Sequence, residues 1–223
     1  MRQRPFFRSV LAGVAALGFA LPAAARTFII ESSEIDRAGA IAADAPLMSW
    51  ASVRPWAPWA PATPIYSSNF TDLMLGVSML VRFPLAKLPA GQKITSAEMV
   101  IPVATMGGNA VRFHLWRVLP EWGPGVSHLY RSTRPVKVPW TVPGARGVAT
   151  DRAVQPTAIV RVDAIGEQVI NVTEDIELWY TGSAPNNGWI FTVEDIGTFV
   201  RLPSPTYPVS TQVWRLRITC EPE

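Results

Sequence analysis

The side chains best suited to nucleophilic or general-base work in this chain are His114, His128 and Cys220, the two histidines and the single cysteine. Covalent catalysis would need one of them beside a serine or thiol and an orienting acid, and no Gly-x-Ser-x-Gly elbow or comparable signature is present. The histidines are too far apart in sequence to suggest a metal-ligand pair. Two adjacent acid pairs, Glu174-Asp175 and Glu194-Asp195, could be considered for glycoside cleavage, which needs two carboxylates converging on one bond. Sequence neighbours rarely converge, because they take opposite faces of a strand and, at a helix start, complement the dipole. Loop oxygens of Asp163, Glu194 and Asp195 are the candidates for a structural calcium, although no EF-hand-like pattern surrounds them. No other cofactor is expected.

The aromatic residues suggest binding instead. Trp50, Trp56 and Trp59 lie in a stretch stiffened by Pro55, Pro58, Pro61 and Pro64, and their flat rings could stack on sugar faces with ordering entropy already reduced. Tyr66 and Trp140 are further candidates of the same kind. The competing reading is that these rings pack over a sheet edge or the end of a core, where large aromatics are usually buried.

The elements that would position such residues follow a period of two. Trp214, Leu216, Ile218 and Cys220 share one face of a strand and Arg215, Arg217 and Thr219 the other, which makes Cys220 a small buried hydrophobe. The pattern recurs in Val77-Met79-Val81-Phe83 with Ser78 and Arg82 opposite, in Met99-Ile101-Val103, Val111-Phe113-Leu115, Ala158-Val160-Val162 and Trp189-Phe191-Val193. Phe28 to Glu31 and Val169 to Val172 add two more strands. Pro102 marks an edge or a bulge in its run. Between 173 and 181 the apolar residues Ile176, Trp179 and Tyr180 follow helical spacing, with Thr173 as the expected N-cap and Gly182 as the stop. The stretch from about 38 to 65 is expected to be a long tryptophan- and proline-rich loop. Proline at 21 of 223 residues, above the usual ~5%, and charge at 17%, below the usual ~25%, agree with many turns and few solvated helix faces.

Arg2, Arg4 and Arg8, the apolar stretch Val10 to Leu21 and Ala23-Ala24-Ala25 read as a secretory signal over residues 1–25, with Arg26 first in the mature chain. The apolar stretch is too short to span a bilayer, and no adjacent arginines point to twin-arginine export. Secretion to the extracellular space or periplasm, with no membrane span, is the expectation. The sequence pI of about 9.3 would suggest nucleic acid. Three of the 20 basic residues lie in the signal, however, which leaves 17 against 17 acidic residues. The mature chain carries no global footprint for a polyanion, so any such binding must come from a local patch, and nucleic acid is not an expected partner.

Several segments resemble the DNRLRE domain. The run Leu80 to Met99 contains Arg82-Phe83, the turn Leu88-Pro89-Ala90-Gly91 and Ile94-Thr95-Ser96-Ala97, similar to that family's opening strand, turn and second strand. Leu115 to Trp122, then Trp140 with Pro143-Gly144-Ala145, then Asn171 to Ile176 through Trp179, Gly182 and Asn187-Gly188-Trp189-Ile190 keep the family's order. The likeness covers roughly Tyr66 to Thr219, with Thr27 to Glu31 as a first strand. It departs in the tryptophan-proline loop and in Ser127 to Pro156, both longer than the family pattern, and loops of this kind carry ligand contacts in sandwiches. The resemblance implies a jelly-roll-like β-sandwich in secreted proteins, some of which bind polysaccharides such as alginate.

The expected fold is therefore all-β: a jelly-roll-like, two-sheet antiparallel sandwich over residues 26–223 with one short helix near 173–181. The expected role is a non-catalytic module that binds polysaccharide at the cell surface or in the extracellular matrix. A structural or adhesive envelope protein making protein–protein contacts is the alternative, and a polysaccharide-degrading enzyme ranks last. The oligomeric state is not legible from the sequence.

Overall fold

A computed structural model describes residues 24–31, 49–55, 70–86, 88–108, 110–123, 125–203 and 212–223. Along the chain run β1 (Arg26–Glu31), β2 (Ser49–Val53), β3 (Phe70–Met74), β4 (Ser78–Arg82), β5 (Gln92–Val103), β6 (Thr105–Gly107), β7 (Val111–Arg117), β8 (Tyr130–Ser132), β9 (Val138–Pro139), β10 (Ala158–Val162), β11 (Gly166–Asn171), α1 (Thr173–Tyr180), β12 (Trp189–Val193), β13 (Phe199–Pro203) and β14 (Arg215–Pro222). The four-stranded sheet has the order β1-β14-β5-β11, the five-stranded sheet β10-β7-β12-β4-β2, and a smaller sheet β3-β13-β6; β8 and β9 form a short ribbon. Every strand pair is antiparallel.

The alternating residues do what the period of two requires. Met99, Ile101, Ile170, Leu216, Ile218 and Cys220 from the four-stranded sheet meet Met79, Val81, Phe113, Leu115, Trp189 and Phe191 from the five-stranded sheet in one buried cluster. The protein is thus an all-β sandwich. Phe191 stands edge-on to Trp214 across the core, with ring centroids 5.7 Å apart. On the outer side of the four-stranded sheet, the intervening residues pair across strands, Arg215 with Glu167 and Arg217 with Glu98, contacts that contribute little each but keep that face polar.

Three local readings change and a fourth, that of Ser78, is narrowed. Ser49–Val53, expected inside a loop, is a strand: it pairs with β4 in the register Ala51 to Leu80, and five residues are too few for the alternation to show. Ser78, expected to face away from the core toward solvent or a second layer, is fully buried along with Leu80, so β4 has a covered layer on both sides. Pro102 sits in a strand that is central in its sheet, yet the pairing of β14 with β5 ends at Val100, so Pro102 faces a neighbour only on the β11 side and its missing N–H is not needed on the other. The helix is capped at Val172 without a side-chain bond. The hydroxyl of Thr173 accepts instead from the Ala97 N–H at 2.9 Å, fastening the helix start to β5, while the Thr173 N–H donates to Asn171 Oδ1. At the far end Gly182, at φ +73°, donates to the Trp179 carbonyl and stops the helix as expected. Ile176 and Trp179 of α1 enter the main core, and Trp179 meets Trp189 edge-on at 4.5 Å.

The outer side of the five-stranded sheet explains why β4 and β12 read as continuous apolar runs. Ala51, Leu80 and Ile190 on that side pack against Val118, Trp122, Val126, Trp140 and Ala145 in a second buried cluster. The covering residues all come from the excursion between β7 and β10.

Candidate functional site

That excursion is organised by one carboxylate. Asp151, 2% exposed, accepts from three backbone N–H groups: Thr141 at 2.9 Å on Oδ1, and Val142 at 2.8 Å and Gly147 at 3.0 Å on Oδ2. Charged acceptors bound by several amides are among the stronger hydrogen-bonded arrangements. They hold a tight loop in which Ala145 and Ala149 adopt φ of +58° and +63°, a left-handed conformation that costs a non-glycine residue energy and persists only where the surroundings impose it. The return leg is tied to the end of β7, with the Leu119 N–H on the Asp151 carbonyl and the Ala153 N–H on the Arg117 carbonyl.

The loop sets two arginines at fixed places. The Arg152 guanidinium lies 4.0 Å above the ring of Trp116, whose indole N–H donates to Thr192 Oγ1 at 3.1 Å. Glu194 is 3.9 Å from Arg152 Nη1, beyond hydrogen-bonding reach. Arg146 meets His128 over the bare α-carbon of Gly144: a Cβ there would stand 3.1 Å from His128 Cε1 and 3.7 Å from Arg146 Cδ. Burial, followed by the charge of Arg146, holds the His128 imidazole below its ordinary pKa. Burial likewise lowers that of Arg152, with Glu194 opposing and Arg146 adding to the shift. The nitrogens Nε and Nη2 of Arg146, Nε and Nη1 of Arg152 and Nδ1 of His128 are all buried without a hydrogen-bond partner.

Beside this cluster the outer face of β7 presents Arg112, His114 and Trp116. Arg112 holds Asp195 through two bonds of 3.3 and 3.0 Å, and the rings of His114 and Trp116 lie 5.8 Å apart. The result is an aromatic ring and several cations at one end of a rigid sheet.

The residues singled out from sequence fare differently. Trp140 is 4% exposed and its indole N–H donates to the Ser127 carbonyl at 3.0 Å, so it packs in the second core under the loop and offers no open ring. Trp50 lies in β2 opposite Val81, next to Ala51 of that same cluster. Trp56, Trp59 and Tyr66, most of the stretch 38–65, and residues 1–23 of the expected signal lie outside the described residues. Cys220 is sealed in the main core, where burial raises its thiol pKa. Asp175 is buried beneath the sheet end and accepts from Trp189 Nε1 and Thr157 Oγ1, both at 2.6 Å on Oδ2, while Glu174 is exposed; the two do not converge. Among the acids named for calcium, Asp163 is paired with Arg161 and Asp195 with Arg112, and no three His, Cys, Asp or Glu among the described residues stand together to share a metal ion.

Arg146, Arg152 and Trp116 were not among the sequence candidates. For the two arginines the one signal is the length of the stretch Ser127 to Pro156, which singles out the loop but not its side chains; Trp116 stands on β7, outside it. No family model matches the chain, and no curated protein matches it.

Proposed function

We propose that this chain is a secreted, non-catalytic module that binds polysaccharide at the cell surface or in the extracellular matrix, a jelly-roll-like sandwich of the DNRLRE kind. The observation that carries this reading is the build of the β7–β10 excursion. A rigid loop, fixed by a buried carboxylate and a second core, sets arginine donors with unused hydrogen-bonding capacity beside an aromatic ring at a sheet end. Such a surface is suited to hydroxyl- and acid-bearing sugars, because the donors are held in place before the ligand arrives and little ordering entropy remains to be lost. The residues considered for chemistry support it too, since Cys220 and Asp175 are locked into packing roles.

The test is retention of the exported form, expected to begin at Arg26, on a panel of neutral and acidic polysaccharides. Saturable retention of at least one glycan is the expected result. Uniform failure across a broad panel refutes the reading, and co-fractionation with envelope protein in that event would move the chain to the adhesive alternative.

A further inference from the structure

We propose that Arg146, Arg152 and His128 form a seat for an oxyanion, a carboxylate or sulfate carried by an acidic glycan; the glycan as its source rests on the reading above, whereas the anion chemistry does not.

Four guanidinium nitrogens and one imidazole nitrogen, all buried and without a hydrogen-bond partner in the protein, belong to side chains of the one excursion between β7 and β10. Native structures leave few such groups unpaired, and a concentration of them on neighbouring side chains marks a place where something else accepts the bonds. Arg146 lies close enough to Arg152 and His128 to act on both electrostatically. Glu194 is the acid that acts on Arg152, at 3.9 Å and without a hydrogen bond. Asp151, though adjacent in sequence, spends its carboxylate on backbone N–H groups. An incoming oxyanion would supply acceptor oxygens and negative charge together, and a guanidinium fork matches carboxylate and sulfate oxygens in a bidentate manner. Trp116 supports the face of Arg152 at 4.0 Å, and the edge bearing its N–H groups is buried without an acceptor.

The experiment uses the chain from Arg26 with sodium sulfate and sodium glucuronate as probes, against sodium chloride at equal ionic strength. Arginine Nε–H and Gly147 amide resonances are followed alongside thermal unfolding. Sulfate and glucuronate should shift those resonances saturably and raise the melting temperature above the chloride control. Arg146→Gln and Arg152→Gln should each weaken the response at least tenfold, and should reduce retention on acidic but not neutral glycans. Unmoved wild-type resonances overturn the proposal whether or not a variant folds, and so does an undiminished response in folded variants. A sulfate response without retention of any glycan upholds the anion seat and refutes the polysaccharide reading. Retention of neutral and acidic glycans alike, unaffected by either variant, does the reverse.

Discussion

Removing the carboxylate of Asp151 should loosen the loop that carries Arg146 and Arg152 while leaving the sandwich folded. In Asp151→Ala three N–H groups lose their acceptor. Gly147 is buried, so its amide bears the full cost of an unsatisfied donor, about 1–3 kcal/mol, while Thr141 and Val142 lie nearer solvent and recover part of theirs from water at a net loss of about 1 kcal/mol each. The total is about 3–5 kcal/mol, a large share of a domain's usual ~5–15 kcal/mol. Asp151→Asn should cost less, about 2 kcal/mol: one oxygen can still serve Val142 and Gly147 from the Oδ2 position, but the amide NH2 then faces the Thr141 N–H, donor against donor. In urea, with a slope of about 2 kcal/mol per M, the alanine variant's midpoint should fall by roughly 2 M and that of the asparagine variant by about half as much. Amide exchange at Gly147 should accelerate far more than exchange in β5 or β14. The reasoning is refuted if the alanine midpoint stays within about 0.3 M of wild type, or if Gly147 exchange is unchanged.

Asp175 gives the contrasting case, because Trp189 and Thr157 both donate to its Oδ2; Asp175→Asn should cost only about 1 kcal/mol in the same unfolding assay, and Asp175→Ala about 3 kcal/mol. Gly188→Ala should destabilise by about 2–5 kcal/mol, since Gly188 has φ +72° and an added Cβ would lie 2.8 Å from the Arg82 α-carbon and against the Val81 carbonyl, neither of which can yield within β4. His128 has a lowered folded-state pKa, so the unfolded chain takes up the proton first: its contribution is fully present above the unfolded value near 6.5 and is lost as pH falls through and below that value. His128→Gln should therefore flatten the decline of melting temperature between pH 7.5 and 5.5, and an identical decline in the variant would remove His128 as its cause.

The fold was legible wherever one strand face meets the core and the other meets water. β14 is the clearest instance: Leu216, Ile218 and Cys220 are buried and Arg215, Arg217 and Thr219 lie outside, as their alternation requires. Legibility failed where a second layer covers the outer face. Ser78 and Leu80 are buried because Trp122, Trp140 and Ala145 return over β4 from elsewhere in the chain, and no window around residue 80 contains that information. The helix bounds were legible, its end from Gly182, whose left-handed conformation is local, whereas the cap at its start was not, because Thr173 is claimed by Ala97 across a separation of 76 residues.

The same distinction governs the site. Formal neutrality over residues 26–223 argues only against a global attraction for polyanions, and it leaves open a local set of donors without acceptors. Asp151 is the case in point. Its charge still offsets that of Arg152, its neighbour, but in the folded chain its oxygens are directed to Thr141, Val142 and Gly147, so the arginine's N–H groups receive no hydrogen bond from it. Composition therefore says nothing of which donors in this loop lack an acceptor. The left-handed backbone of Ala145 and Ala149 lies in the same loop, where Asp151 and the second core impose it on residues without glycine's freedom.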